Sequence, residues 1–214
     1  MPKTLKRFTF SLFFILVLSL LLVAIPAQHS QAAFNFNWFT HKAYKPAKKK
    51  APKRKMLDIT PISQFPELPT GCEITAVAML MDYKGVDLSK TDIANEIPYS
   101  PNGDMETGFW GNPYDDSGYT MYPPAWADLF NQYLGSFTDL SGASLNKLRA
   151  TLKNNKPIVA WINYHGQPAH SVLLIGYNQE KLTFNDPYTG KRKTMTAKKF
   201  WKIASYQGHR AMTY

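Results

Sequence analysis

Cysteine is nearly missing from this sequence: Cys72 is the single one among 214 residues. No intramolecular disulfide can form, so the fold has to hold without covalent cross-links. There is no Cys-x-x-Cys and no His-Glu-x-x-His, which argues against a zinc site. A Gly-rich phosphate loop is missing, and with it the P-loop route to phosphoryl transfer. The Gly-x-Ser-x-Gly elbow of serine hydrolases is missing too, and no internal repeat is present. Acidic residues are absent from the first 55 positions, which hold 11 of the 25 Lys and Arg. Residues 56–214 then carry 14 basic and 15 acidic residues, a net of −1, although the whole chain has a formal charge of +10. The positive charge belongs to the N-terminal arm, so a nucleic-acid partner inferred from the whole-chain charge would be misplaced. The remaining stretch of about 160 residues suffices for one domain with its own core.

What is present begins with Lys3, Lys6 and Arg7, followed by an apolar run, Phe8–Ile25, interrupted only by Thr9, Ser11 and Ser19. Pro26 ends the run. Ser30-Gln31-Ala32 places small residues at the minus-three and minus-one positions of a cleavage site. Residues 1–32 are therefore expected to be a secretory signal peptide cut after Ala32. The alternative is an uncleaved anchor, because a run of about 18 apolar residues spans a bilayer. Both place the domain outside the cytoplasm, secreted or at the cell surface. Residues 33–55 are expected to be a basic, disordered linker: Lys42 to Lys55 repel one another, and Pro46 and Pro52 resist helix. Its expected partner is an anionic surface, wall polymer or lipid, and such an arm suits a Gram-positive bacterium.

The domain, residues 56–214, is organised around Gln64–Tyr83. Thr70 and Glu73 have the spacing of a capping box, so a helix is expected from Thr70 to about Lys84, with Gly85 at its C-cap. Cys72 then falls at the second helical position, where unpaired N–H groups and the helix dipole favour a thiolate. Ile74, Val77, Ala78 and Met81 recur at helical spacing and bury one face. Leu57–Ile62 reads as a short strand. Ser89 and Asp92 start a second helix running to Ile97. Residues 98–122 form a long irregular segment whose aromatics argue that it packs, with a place along the substrate cleft as its expected role. Pro123-Pro124 opens a helix to Leu134, and Ser144 caps another to Asn154. The period then changes. Strands are expected at 157–163, 170–177, 181–186 and 191–195, with a hairpin through Asn178-Gln179-Glu180. A short helix capped by Thr196 and a closing strand at 208–214 complete the chain. Helices first and strands after predict an α+β domain, its cysteine helix packed on a C-terminal antiparallel sheet.

A cysteine peptidase needs a thiolate, an imidazole to carry its proton, a group that orients the imidazole, and an oxyanion donor. Candidates for all four occur in the order Gln, Cys, His, Asp. Cys72 is the nucleophile. His170 opens an apolar strand, so it is expected at a sheet rim. Asp186 ends the next strand, and the hairpin pairing brings it beside His170. Gln64 can offer a side-chain N–H to the oxyanion. Among the other histidines His165, five residues before His170, is the competitor.

The blocks Glu67-Leu-Pro-Thr-Gly-Cys72-Glu, Gly108-Phe-Trp-Gly-Asn-Pro-Tyr with Tyr122-Pro-Pro, His170-Ser-Val-Leu-Leu-Ile-Gly-Tyr and Asn185-Asp186-Pro-Tyr-Thr-Gly resemble the stand-alone, exported branch of cysteine peptidase family thirty-nine. Bacteriocin-processing domains are the best-known members of that family. The resemblance covers Leu57 to Tyr214. It implies a papain-like fold, with Cys72, His170 and Asp186 as the triad and Gln64 in the oxyanion hole. The gap from Gln64 to Cys72 is longer than papain-like spacing, and no transporter domain follows, so leader processing coupled to export is not implied. The expected function is a cysteine peptidase, most simply a monomer, acting without cofactor or metal on peptide or wall-associated amide bonds. Acyl transfer to an amine, and a catalytically silent module that binds the cell surface through its basic arm, are the alternatives.

Overall fold

The structure, a computed structural model, describes residues 54–214. The expected signal peptide, and the linker up to Lys53, lie outside the described residues. Short, continuously apolar runs belong in the middle of a sheet, and the two longest go there. They form β3 (Ile158–Tyr164) and β4 (Gln167–Tyr177), paired antiparallel. β5 (Lys181–Asp186) returns along β4 through the expected hairpin, and β6 (Lys191–Thr196) lies outside it. On the other side β7 (Ala211–Thr213) pairs with β3, and β2 (Thr138–Asp139), which no sequence signal announced, pairs with β7. The order is β2-β7-β3-β4-β5-β6, every pair antiparallel. β6 is an outer strand and exposes Lys191 and Arg192, charges that discourage another strand from adding there.

The expected strand at Leu57–Ile62 is not formed. β1 is Lys55–Met56 instead, paired with the end of β4, so Lys55 belongs to the sheet rather than to a linker. The ladder stops after Leu57 N–H donates to Ile175 O. Beyond that point the Ile59 carbonyl accepts side-chain donors, Asn185 Nδ2 at 2.9 Å and Arg192 Nη2 at 3.0 Å. Side chains from β5 and β6 take the place of a partner strand.

Five α-helices occur among the described residues, α1 (Cys72–Tyr83), α2 (Lys90–Glu96), α3 (Ala127–Leu134), α4 (Leu145–Lys153) and α5 (Ala197–Ser205), of which α1, α4 and α5 pack on the sheet and α2 packs on α1. Their starts follow local chemistry. Ser89 and Asp92 close a reciprocal capping box, and Ser144 and Thr196 accept the N–H groups of Lys147 and Lys199. A 3₁₀ turn, Pro123–Trp126, leads into α3. α1 differs from the rest. Every residue from Cys72 to Met81 is buried, against β4, β3 and α2. The sequence suggested one apolar face; the helix is enclosed on all sides, as its nearly uniform hydrophobicity allows.

The segment 98–122 is ordered by backbone bonds between its own turns. Phe109 N–H donates to Pro98 O at 2.7 Å, Tyr119 N–H to Trp110 O at 2.8 Å and Tyr122 N–H to Met105 O at 2.8 Å. Phe109, Met121 and Tyr122 point into the core, while Trp110, Tyr114 and Tyr119 are exposed. Its contact with the start of α1 leaves no spare volume, since a Cβ on Gly118 would collide with Thr70 Oγ1 and lie 2.6 Å from the Asn112 carbonyl. Gly118→Ala is therefore expected to cost about 1–3 kcal/mol through overpacking, read as a lower urea midpoint. An unchanged midpoint would show that the segment can lift off α1 freely.

Candidate active site

Cys72 gains its position because α1 starts with it. The expected cap does not form. Gly71 is the N-cap and no side chain bonds to the helix end. Thr70 instead donates its hydroxyl to Asn112 O at 3.2 Å and Asp115 O at 3.0 Å. Glu73, the other half of the expected box, is fully buried, and its Oε1 accepts Met121 N–H at 2.8 Å. Partners from the 98–122 segment have displaced the local motif. Cys72 is consequently the first residue of the helix, not the second, among the N–H groups that a helix start leaves without intrahelical partners.

The sulfur is buried. It donates to Glu73 Oε2 at 3.2 Å, accepts Ser171 N–H at 3.2 Å, and lies 3.8 Å from Ala169 O. Ala169 and Ser171 flank His170, so the sulfur rests against the backbone on both sides of that histidine.

His170 is not at a strand start. His165 and Gly166 have φ of +56° and +75°, and Tyr164 pairs with Gln167. This is a two-residue turn with both central residues left-handed, the geometry that matches strand twist. It lets β4 begin at Gln167, which places His170 inside the strand opposite Ile162, fully buried. Asp186 arrives as the hairpin requires, with Asn185 opposite Leu173. His170 Nε2 lies 2.9 Å from Asp186 Oδ1. The competitor is there too: His165 Nε2 lies 2.8 Å from Asp186 Oδ2. His165 is partly exposed and stacks on Tyr188, ring centroids 4.9 Å apart. Only His170 adjoins the residues that touch the sulfur.

Asp186 is fully buried yet charged. Burial pushes its carboxyl up, but hydrogen bonds from His170, His165 and Thr189 outweigh burial and hold it well below the usual carboxylate range. Tyr188 N–H adds a further donor at 3.1 Å. Facing a carboxylate, both imidazoles must carry their proton on Nε2. His170 Nδ1 is then bare, and it is buried without a hydrogen-bond partner. Burial pushes the His170 imidazole down despite Asp186. Burial first, and Glu73 second, push the Cys72 thiol well up, against a smaller pull from Ser171 N–H. The helix start favours a thiolate, but the enclosure of the sulfur prevails, so the resting groups are a thiol and a neutral imidazole, with no hydrogen bond between Sγ and His170 Nδ1.

His165, His170 and Asp186 hold ligand-type atoms within 4.8 Å of one another; here those atoms are engaged with each other. Gln64 is buried, and its backbone N–H donates to Pro187 O at 2.9 Å, tying it to the Asp186 turn. Its Nε2 donates to Pro69 O at 2.6 Å and its Oε1 has no partner. One amide N–H of Gln64 is thus committed and one is uncommitted. Glu73, to which the Thr-x-x-Glu spacing gives a capping role, stands instead against the cysteine sulfur. The available signal was a lone charge in the otherwise uncharged stretch Cys72–Met81, next to the cysteine.

An antiparallel sheet packed on a buried helix that opens at the lone cysteine is a C39-like peptidase fold. The chain belongs to the Peptidase_C39 like family, whose model matches residues 56–211. It is similar to the uncharacterized protein YvpB of Bacillus subtilis (strain 168), 27% identical over 187 residues, covering 74% of this chain and 75% of that protein. It is also similar to a solved structure from Bacillus anthracis designated a C39-like peptidase. There the identity is 28% and the TM-score 0.69, with 75% of this chain and 96% of that one covered.

Glu73 makes a pH test of this geometry. Burial pushes its carboxyl from 4.5 to about 7. An acid raised on folding binds more protons folded than unfolded, so its contribution to stability is lost as pH rises from about 4.5 to about 7, then stays level. The unfolding free energy of wild type minus that of Glu73→Gln is expected to fall across that window and flatten above it. Parallel curves from urea denaturation would contradict a buried, titrating Glu73.

Proposed function

We propose that the chain is an exported cysteine peptidase that hydrolyses peptide or wall-associated amide bonds. One observation carries the reading. A buried carboxylate binds His170 Nε2–H and leaves Nδ1 free, while the lone cysteine's sulfur lies against the backbone on either side of that histidine. In this reading His170 Nδ1 takes the thiol proton as the Cys72 sulfur attacks the substrate carbonyl carbon. A C–S bond forms and the carbonyl electron pair moves to oxygen. The Cys72 backbone N–H and the uncommitted Gln64 N–H stabilise that oxyanion. Collapse breaks the C–N bond, and the imidazolium gives its proton to the departing amine. His170 then deprotonates water, which cleaves the thioester and restores the thiol. Asp186 stays charged throughout and holds the ring. The exposed pair Phe65 and Tyr188, edge to face at 5.3 Å, forms an aromatic rim between Gln64 and the Asp186 turn, suited to apolar side chains of a peptide.

Export rests on the apolar run 8–25 and the small residues before Ala33. The basic arm then tethers the domain to an anionic surface. The test is to express the full chain, incubate the protein recovered from the host's medium with a proteome-derived peptide library, and read new termini by mass spectrometry. New termini are expected with wild type and none with Cys72→Ala. With a cleaved peptide in hand, Asp186→Asn is expected to lower kcat about 10²–10⁴-fold, as loss of the imidazole's orienting carboxylate does in such triads. The recovered protein is expected to start at Ala33. Identical termini from wild type and Cys72→Ala would refute the peptidase and favour a silent binding module.

A further inference from the structure

Glu73 is fully buried beside the sulfur, and the mechanism above leaves it without work. Its two oxygens are not equivalent. Oε1 accepts Met121 N–H at 2.8 Å, and Oε2 lies 3.2 Å from Cys72 Sγ. Oε1 already accepts the Met121 N–H and Thr120 is a further hydrogen-bonding neighbour of the carboxyl, so a proton added to it is best placed on Oε2, toward the sulfur. We propose that Glu73 is a further catalytic residue that shares one proton with Cys72: as a carboxylate it accepts the S–H and keeps the nucleophile a thiol; as an acid it donates O–H to the thiolate and stabilises it. The proposal rests on Cys72 being the nucleophile.

The step balances without a co-reactant. With Glu73 ionised, moving the proton from Sγ to Oε2 converts S–H and COO⁻ into S⁻ and COOH, and the buried site keeps a single negative charge. With Glu73 protonated beforehand, the thiol proton passes to His170 Nδ1, and the thiolate accepts both Ser171 N–H and Glu73 O–H. Either route avoids two adjacent anions in a dry site, which is the costly arrangement. A carboxyl pushed up to about 7 by burial is poised for this near neutrality. The groups facing it are few. Cys72 shares its helix. Tyr122 stands on the 98–122 side, with the Arg210 guanidinium 3.7 Å over its ring and Glu106 bridged to Arg210. On β4, His170 adjoins Ser171, whose N–H touches the same sulfur. Met121 belongs to the segment packed over α1, so the position of that segment decides where the Glu73 proton can sit.

The test is the pH profile of Cys72 alkylation by iodoacetamide, followed by intact mass, on wild type and Glu73→Gln. Gln keeps an oxygen for Met121 N–H and offers N–H to the sulfur, which imitates the protonated acid. Access to a buried sulfur sets the height of both profiles, so the shape decides. Wild type is expected to show two ionisations, those of a coupled pair. Glu73→Gln is expected to show one, with alkylation at pH 8 about tenfold faster, as removing one like charge shifts such a group by about a unit or more. Superimposed profiles from folded proteins would overturn the proposal. Should Glu73→Gln fail to fold, the profile of His170→Ala, which removes the other group able to couple to the sulfur, decides: two steps there support the shared proton and one step refutes it. No substrate is needed, so absent peptide cleavage with a two-step profile refutes only the peptidase reading, and cleavage with superimposed profiles refutes only this one.

Discussion

A carboxylate buried at the end of a strand is the constraint around which this domain is arranged. Asp186 is closed off from water yet ionised, because four donors converge on it from β4, the β3–β4 turn and the loop after β5. Removing these partners from such a group leaves a poorly compensated buried charge, which is strongly destabilising. The hairpin, the left-handed turn at His165-Gly166 and the Pro187–Gly190 loop are held to one geometry by that requirement. The same geometry fixes the His170 tautomer, and the tautomer decides which ring nitrogen is free for chemistry. Stability and reactivity here have a common origin.

The nucleophile side depends on a second enclosure. α1 is buried over ten consecutive residues, so the Cys72 sulfur meets protein in every direction that the contacts describe. This explains why the expected thiolate is a thiol in the resting state. A helix start stabilises an anion by a modest amount, whereas desolvation of a buried sulfur and an adjacent carboxylate both oppose it. In the proposed reading, reactivity depends on where protons sit among Cys72, Glu73 and His170, and on the packing of residues 98–122 against the helix start.

Much of this was legible in the sequence, and the reason differs by element. The starts of α2, α4 and α5 were readable because Ser89, Ser144 and Thr196 act on N–H groups three residues away, a purely local matter. The β4–β5 hairpin was readable because two apolar runs flank three polar residues. It carried the meeting of His170 and Asp186 with it. The start of α1 departs from its local spacing because Thr70 and Glu73 each bond to a partner more than forty residues away, which no local pattern reveals. The burial of His170 is not legible locally, because the left-handed His165-Gly166 turn lets β4 begin at Gln167, three residues before the apolar run that marks the strand in the sequence. Membership of the C39-like family agrees with the cysteine and histidine blocks quoted from the sequence. Neither relative's designation states what it cleaves, so the substrate class rests on the site itself.

The most direct test of the proposed Cys72–His170–Asp186 site is the tautomer of His170, read from its imidazole nitrogen shifts in ¹⁵N-labelled protein near neutral pH. A neutral ring with its proton on Nε2 and a bare Nδ1 is expected, with loss of that state in Asp186→Asn. A proton on Nδ1, or a ring indifferent to Asp186, would leave no acceptor for the Cys72 proton on His170 and would contradict the site proposed here.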